Sequence, residues 1–329
     1  MKMIAAGTDS VGLIGWQATD EQWLAAREGG ISASDVKTAL GFDTYKTPWE
    51  LWAEKTGAYP TYPVTSRAIA LGRDLEPWLL QMAARDLGQP VTHTPYRLYA
   101  HPIHTWRMAS PDGVTATGEL IEGKTAGLCG GFGVPDGWSE TAIPLGHNLQ
   151  ARWQMHVLDA SRVYVAALVA GLGFRLYLLE RDIGLEEDLV DQVREWYERH
   201  ILEGEEPPFG NGDSDNLRRR YPLATQGVIA LDDTDAYELW TAYRTARTRE
   251  YRAVSEKLAA ADELKALIGV HEAATVGGNL IATWKSRQGN VNWKQLAEDM
   301  AHAHDIELPP IALYRGTPVR PLIVKGINS

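Results

Sequence analysis

Ala109-Ser110-Pro111-Asp112-Gly113-Val114-Thr115-Ala116-Thr117-Gly118-Glu119-Leu120-Ile121-Glu122-Gly123-Lys124 is the stretch on which the reading of this chain turns. It has the pattern of a strand, a short polar turn and a second strand. Asp112 lies on the first arm, with Glu122 ten residues later and Lys124 two beyond that. Strand side chains alternate faces, so Glu122 and Lys124 point the same way, and a hairpin brings Asp112 opposite them. Two carboxylates converging on one point repel unless a cation lies between them, and their hard oxygens suit Mg²⁺ or Mn²⁺. A lysine beside them can hold an attacking water or offset charge on a phosphate. Such a set suits metal-assisted cleavage of a phosphodiester.

Pro111-Asp112 followed by Glu122-Gly123-Lys124 resembles the PD-(D/E)xK nuclease motif. Further segments match one branch of that superfamily in order: Arg27-Glu28-Gly29-Gly30-Ile31-Ser32-Ala33-Ser34, then Trp49-Glu50-Leu51-Trp52 with Lys55-Thr56-Gly57. Leu71-Gly72-Arg73-Asp74-Leu75-Glu76-Pro77 and Leu149-Gln150-Ala151-Arg152-Trp153-Gln154-Met155 follow. Together with Ser110-Pro111-Asp112-Gly113 they resemble the lambda exonuclease/YqaJ family of viral recombination nucleases, across roughly residues 20 to 200.

The resemblance implies an α/β fold, a mixed sheet flanked by helices with the site at one end. Asp112, Glu122 and the Gly123 carbonyl would bind one or two Mg²⁺ (or Mn²⁺), with Glu76 completing the set. Lys124 and Gln150 would orient the water, with Gln154 competing for the role of Gln150. Arg27, Ser34 and Ser110 would grip a 5′-terminal phosphate. The implied activity is 5′-to-3′ degradation of one strand of linear double-stranded DNA. That leaves 3′ overhangs for a single-strand annealing protein, and ring-shaped homo-oligomers are the family habit. The chain departs from the pattern where Thr125-Ala126 replaces a small residue plus proline, where a following basic residue is missing, and where Gly123 replaces a bulky apolar residue. A restriction-type endonuclease and a non-catalytic DNA-end-binding or assembly protein are the competing readings.

The chain has 329 residues, 44% of them hydrophobic, enough for one large domain and a smaller appendage. No apolar run is long enough for a membrane span and no signal-peptide core opens the chain, so the cytoplasm is expected. A lone cysteine, Cys129, excludes an internal disulfide and a four-cysteine iron–sulfur or zinc site. Net charge is −11, with acid concentrated from Glu180 to Glu206. A locally basic channel is expected from Arg27, Arg73, Arg97, Arg107 and Lys124, because whole-chain charge describes the far field and not a cleft.

Residues 1–18 read as an arm or edge strand. Helices are expected from Thr19 or Asp20 to Arg27, from Asp35 to Leu40 capped by Ser32 or Ser34, from Pro48, from Leu71 to Leu87, from Pro144 and from Leu185 to Leu202. Thr92–Tyr99 and Thr105–Ala109 read as strands, with His101 and His104 in the turn between them, and residues 125–140 as a flexible glycine-rich loop. That loop lacks the lysine-serine ending of a phosphate loop, which excludes nucleotide binding of that kind. Arg162–Leu168 and Phe174–Glu180 form a further hairpin. The boundaries drawn are a nuclease core at 1–210, a linker at 211–230, and a C-terminal module at 231–329. The module opens on a helix from Asp232 to Gly269, roughly 50 Å long at 1.5 Å per residue.

Overall fold

The computed structural model describes residues 11–14, 19–60, 66–129, 133–224, 226–231, 234–286, 289, 291–310 and 313. Most of the expected N-terminal arm, Gly130-Gly131-Phe132 of the glycine-rich loop, the Asp232 cap and the tail past 313 lie outside the described residues. The chain divides into two compact units, Met1–Asn216 and Leu217–Ser329.

In the first unit the chain runs β1 (Val11–Ile14), α1 (Asp20–Glu28), β2 (Ile31–Ser32), α2 (Ala33–Ala39), α3 (Pro48–Thr56), α4 (Arg67–Leu87) and β3 (Val91–His93). Next come β4 (Leu98–Ala100), β5 (Arg107–Ala109), β6 (Gly113–Thr115), β7 (Leu120–Ala126), α5 (Leu145–Leu158), β8 (Arg162–Val169), β9 (Gly173–Glu180) and α6 (Ile183–Trp196). One sheet has the order β3-β6-β7-β8-β9, with β7 and β8 parallel and the other pairs antiparallel. A smaller sheet has the order β1-β4-β5-β2. The architecture is the expected α/β one.

Period-two alternation places the helices. Leu120, Val163, Val165, Ala167 and Val169 belong to the large core cluster with Trp153, Val157 and Leu158 of α5. Their neighbours Ile121 and Ala166 instead pack with Leu79, Leu80 and Ala83 of α4. The larger sheet is therefore sandwiched, with α5 on one face and α4 on the other. Thr19 caps α1 and Pro48 occupies the first turn of α3, as the sequence expects; Thr19 forms a capping box with Gln22, and Thr47, not anticipated, forms one with Glu50. Trp49 and Trp52 are buried, Trp49 stacking on Phe209 at 4.9 Å.

Some expectations are corrected. Helix α4 starts at Arg67, not Leu71, and carries Pro77 inside it. The single strand expected at Thr92–Tyr99 is two, β3 and β4, in different sheets, because the chain turns at Tyr96, whose φ is 60°. Thr125 and Ala126 extend β7 against Leu168 and Val169 of β8 and are not loop. Helix α6 ends at Trp196 and a π-helical segment carries Tyr197–Leu202. Part of the stretch read as a linker is α7 (Ser214–Arg220).

The second unit contains α8 (Thr234–Ile268), the β10 (Ala273–Val276)–β11 (Asn279–Thr283) hairpin and α9 (Trp293–His304), capped by Asn292.

Gly30 is fixed by a close approach. The Ile31 N–H donates to the Trp106 carbonyl at 2.7 Å, and a Cβ on Gly30 would overlap that same carbonyl. On adjacent Gly29 a Cβ would meet only ordinary contacts. Gly30→Ala is expected to lower unfolding free energy by about 1–3 kcal/mol, the usual range for overpacking, while Gly29→Ala stays within experimental error. Urea unfolding of both variants checks this, and equal behaviour would remove the close-approach argument.

Candidate active site

The register of the β6–β7 hairpin builds the site. Val114 pairs with Leu120 and Gly113 with Ile121, and there β6 ends. One step further, the Gly123 N–H has no strand partner on that side and donates to Asp112 Oδ2 at 2.7 Å. Asp112 thus replaces a backbone carbonyl at the point where the ladder stops.

Glu122 lies on the Leu120 face of β7, the α5 side. It is 3% exposed. Lys124 Nζ donates to its Oε1 at 2.5 Å, Gln150 Nε2 to the same oxygen at 2.6 Å, and Gln154 Nε2 to Oε2 at 2.6 Å. Gln150 and Gln154 stand one turn apart on α5, so one helix face presents both amides. The sequence poses the two glutamines as competitors; the structure brings both to Glu122. A second glutamine four residues on, flanked by buried Trp153 and Met155, was the available signal.

Glu76 arrives from the opposite face. A Cβ built on Gly123 would lie 3.4 Å from Leu79 Cδ1 and Asp112 Oδ2, and 3.9 Å from Glu76 Cγ. Glu76 and Leu79 come from neighbouring turns of α4, and the lack of a side chain at residue 123 lets them close over β7. Glu76 Oε1 also meets His93 Nε2 at 2.7 Å, a contact the sequence reading missed.

The electrostatics follow from this crowding. Asp112 is pushed well above the usual carboxylate range, first by burial, then by Glu122 and Glu76. Burial alone would pull the Lys124 ammonium down, but Glu122 and Asp112 outweigh it and the net shift is upward. Lys124 therefore stays cationic at neutral pH. His147 is pulled down to about 3 by burial, then by Lys124 and Lys37.

The expected phosphate-binding residues lie along the same cleft, of about 350 Å³, which Arg27, Ser34, Arg73, Glu76, Asp112 and Glu122 help to line. Arg27 Nη2 donates to Ser32 Oγ at 2.6 Å and Ser34 Oγ at 2.7 Å, and meets Asp35 Oδ1 at 3.3 Å. Ser32 and Asp35 were not anticipated, and it is Ser32, not Ser34, that caps α2. Ser110 also borders the cleft, but its hydroxyl donates to the Arg97 carbonyl at 2.5 Å and does not join Arg27. Arg107, expected in a basic channel, is buried beside His156, with Nη1 3.1 Å from Nε2.

A metal requirement can be tested against the donor set. Asp112, Glu122 and Glu76 are carboxylates whose mutual repulsion a divalent cation would relieve, and their oxygens are the ligands such ions prefer. Among the described residues no three His, Cys, Asp or Glu side chains are already closed into a metal-holding group. Each carboxylate turns to a protein donor instead: Lys124 and the two glutamines for Glu122, the Gly123 N–H for Asp112, His93 for Glu76. The donor chemistry fits the ion, and the oxygens would have to redistribute to take it.

A mixed sheet sandwiched by helices, with an Asp, a Glu and a Lys gathered where a strand ends, has the plan of the PD-(D/E)xK class. Residues 22–161 match the model of the YqaJ-like viral recombinase domain. It is similar to the protein YqaJ of Bacillus subtilis (strain 168), 26% identical over 299 residues, covering 87% of this chain and 89% of that protein. Among solved structures it is similar to the alkaline exonuclease LHK-Exo from Laribacter hongkongensis. The two are 20% identical, with a TM-score of 0.42, covering 61% of this chain and 98% of the other. A putative exonuclease from Eubacterium rectale is 10% identical, with a TM-score of 0.41, covering 65% of this chain and 96% of the other.

Asp112 yields a stability prediction. Its folded pKa is raised above the unfolded value, so the ionised form destabilises the fold at neutral pH and protonation relieves the penalty as pH falls. Asp112→Asn keeps an oxygen for the Gly123 N–H without the charge. In chelator at pH 7 it is expected to be more stable by about 1–2 kcal/mol, with the gain shrinking as pH drops toward 4. Thermal unfolding at both pH values checks this; a destabilised variant at pH 7 would show that Asp112 is not strained by its neighbours.

Proposed function

We propose that this chain is a divalent-metal-dependent deoxyribonuclease that degrades one strand of linear duplex DNA from the 5′ end. It would leave 3′ overhangs for a single-strand annealing partner in recombination. The observation that carries the reading is the gathering of Asp112, Glu122, Lys124 and Gln150 on β7 where its pairing with β6 stops, in a stretch that matches the YqaJ-like viral recombinase domain. The names of the similar solved proteins, an alkaline exonuclease and a putative exonuclease, agree with it.

Asp112, Glu122, Glu76 and the Gly123 carbonyl would hold Mg²⁺, or Mn²⁺ in its place. When bound, the cation supplies positive charge against that developing on the phosphate. Lys124, kept protonated by its two carboxylate neighbours, cannot accept a proton at neutral pH; its part is to offset charge and orient the attacking water. Gln150, already on Glu122, can turn its amide to the water or a phosphate oxygen. Gln154 is fully buried and holds Glu122 in place.

Arg27 and Ser34 would receive the 5′-terminal phosphate. Asp35 beside them is held below the usual carboxylate range: burial opposes this, but Lys55 and Arg27 prevail. Lys55 Nζ lies 2.9 Å from Asp35 Oδ2, so one cation neutralises the aspartate and Arg27 remains for an anion. Ser110 would join only by releasing the Arg97 carbonyl. A ring-like homo-oligomer and a cytoplasmic setting belong to the same reading; no helix of the described residues is long and apolar enough to cross a membrane.

End-labelled linear duplex with a 5′-phosphate, incubated with Mg²⁺ or with chelator, tests the reading. Degradation from the 5′ end in Mg²⁺, with closed circles spared, is expected. Asp112→Ala, Glu122→Ala and Lys124→Ala should each cost at least about a thousandfold in kcat/KM with the fold intact. Equal cutting of closed circles would favour a restriction-type endonuclease, and unaffected DNA-end binding without hydrolysis would favour an assembly role.

A further inference from the structure

His93 is the last residue of β3, in register with Gly113. A Cβ on Gly113 would lie 2.9 Å from Val91 Cγ1 and 3.0 Å from Leu80 Cδ2, so this glycine lets β3 and α4 close on the hairpin. Leu80 lies one helical turn after Glu76 on α4. Docking Leu80 over Gly113 therefore sets Glu76 beside the end of β3, where His93 Nε2 meets Glu76 Oε1 at 2.7 Å. Both residues line the cleft, with side chains 36% and 27% exposed.

Three carboxylates share this corner. Glu122 receives three N–H donors and Asp112 receives the Gly123 N–H. For Glu76 the donor in the structure is the His93 imidazole. Repelled by two neighbouring carboxylates, a half-buried glutamate would otherwise swing toward water.

We propose that His93 is a positioning residue of the active site: it donates through Nε2 to Glu76 Oε1 and keeps that carboxylate in the cleft, with its second oxygen left for a divalent cation. This deepens the nuclease reading and rests on it. An outer partner that orients a ligating carboxylate commonly contributes 10- to 100-fold in metal affinity or activity. A side chain that merely occupied surface would contribute nothing to either.

The test is Mn²⁺ binding to the full chain without DNA, by calorimetry, on wild type, His93→Ala, His93→Gln, Glu76→Ala and Glu76→Ala/His93→Ala, with thermal midpoints measured alongside. His93→Ala is expected to weaken Mn²⁺ about tenfold with little change in midpoint. His93→Gln, whose amide reaches about as far as Nε2, should recover most of the loss. In the Glu76→Ala background, removing His93 should change nothing further, because the residue acts only through Glu76. Wild-type affinity in His93→Ala, failure of glutamine to rescue, or an additional loss in the double variant overturns the proposal while leaving the nuclease reading intact. A wild-type chain that binds no Mn²⁺ overturns both.

Discussion

A carboxylate with 3% exposure sits at the centre of this structure, and its burial constrains everything near it. An ionised group taken out of water costs several kcal/mol unless hydrogen bonds and opposite charge replace its hydration, roughly in full. Glu122 meets that demand with Lys124 from its own strand and two amides from α5. The lysine must be two residues away, to share a face of β7. The glutamines must be four apart, to share a face of the helix. The rotation of α5 against the sheet is thereby fixed by polar geometry as much as by Trp153, Val157 and Leu158 beneath it.

The second constraint is where β6 stops. Had the ladder continued, the Gly123 N–H would bond to backbone and β7 would be closed on both sides. Ending at Gly113 leaves one unmet donor, which Asp112 satisfies, and so places a second carboxylate at the edge nearest Glu122. Two glycines then admit α4 from the other face: Gly123 faces Leu79 and Glu76, and Gly113 faces Leu80. The site therefore draws on both faces of the sheet at the point where one strand ends. Such a corner can bring three acidic groups together without any one helix or strand carrying them all.

This logic explains what could be read from the sequence and what could not. The hairpin was legible because period-two spacing and the turn between Thr115 and Leu120 fix its register locally. Caps near Thr19 and Ser32 were legible for the same reason, since a cap is decided within four residues. That Gln150 and Gln154 act together, and that His93 joins Glu76, was not, because this depends on the rotation of α5 and the docking of α4, which only tertiary packing sets. The division of Thr92–Tyr99 into two strands was hidden as well: apart from a proline before it, nothing marks Tyr96 as the residue that turns with positive φ. Arg107 misled because the sequence shows its charge and not its burial beside His156.

The cleft itself is electrically divided. Arg27 lines it with Ser32 and Ser34, whereas Asp112, Glu122 and Glu76 crowd together at its acidic part with Lys124 as their cation. One part favours an anion, the other a cation. Phosphate held at the first and a divalent ion at the second would satisfy both, whereas either alone leaves one part uncompensated. The net charge of −11 opposes approach of a polyanion over distances up to about a Debye length, near 10 Å at 0.1 M salt. On this reading a duplex gains little by lying along the outer surface, and attraction begins only once a strand end reaches Arg27. If the chain acts on duplex ends as proposed, its net negative charge would weaken hold on the flanks of the duplex and leave recognition to the terminus.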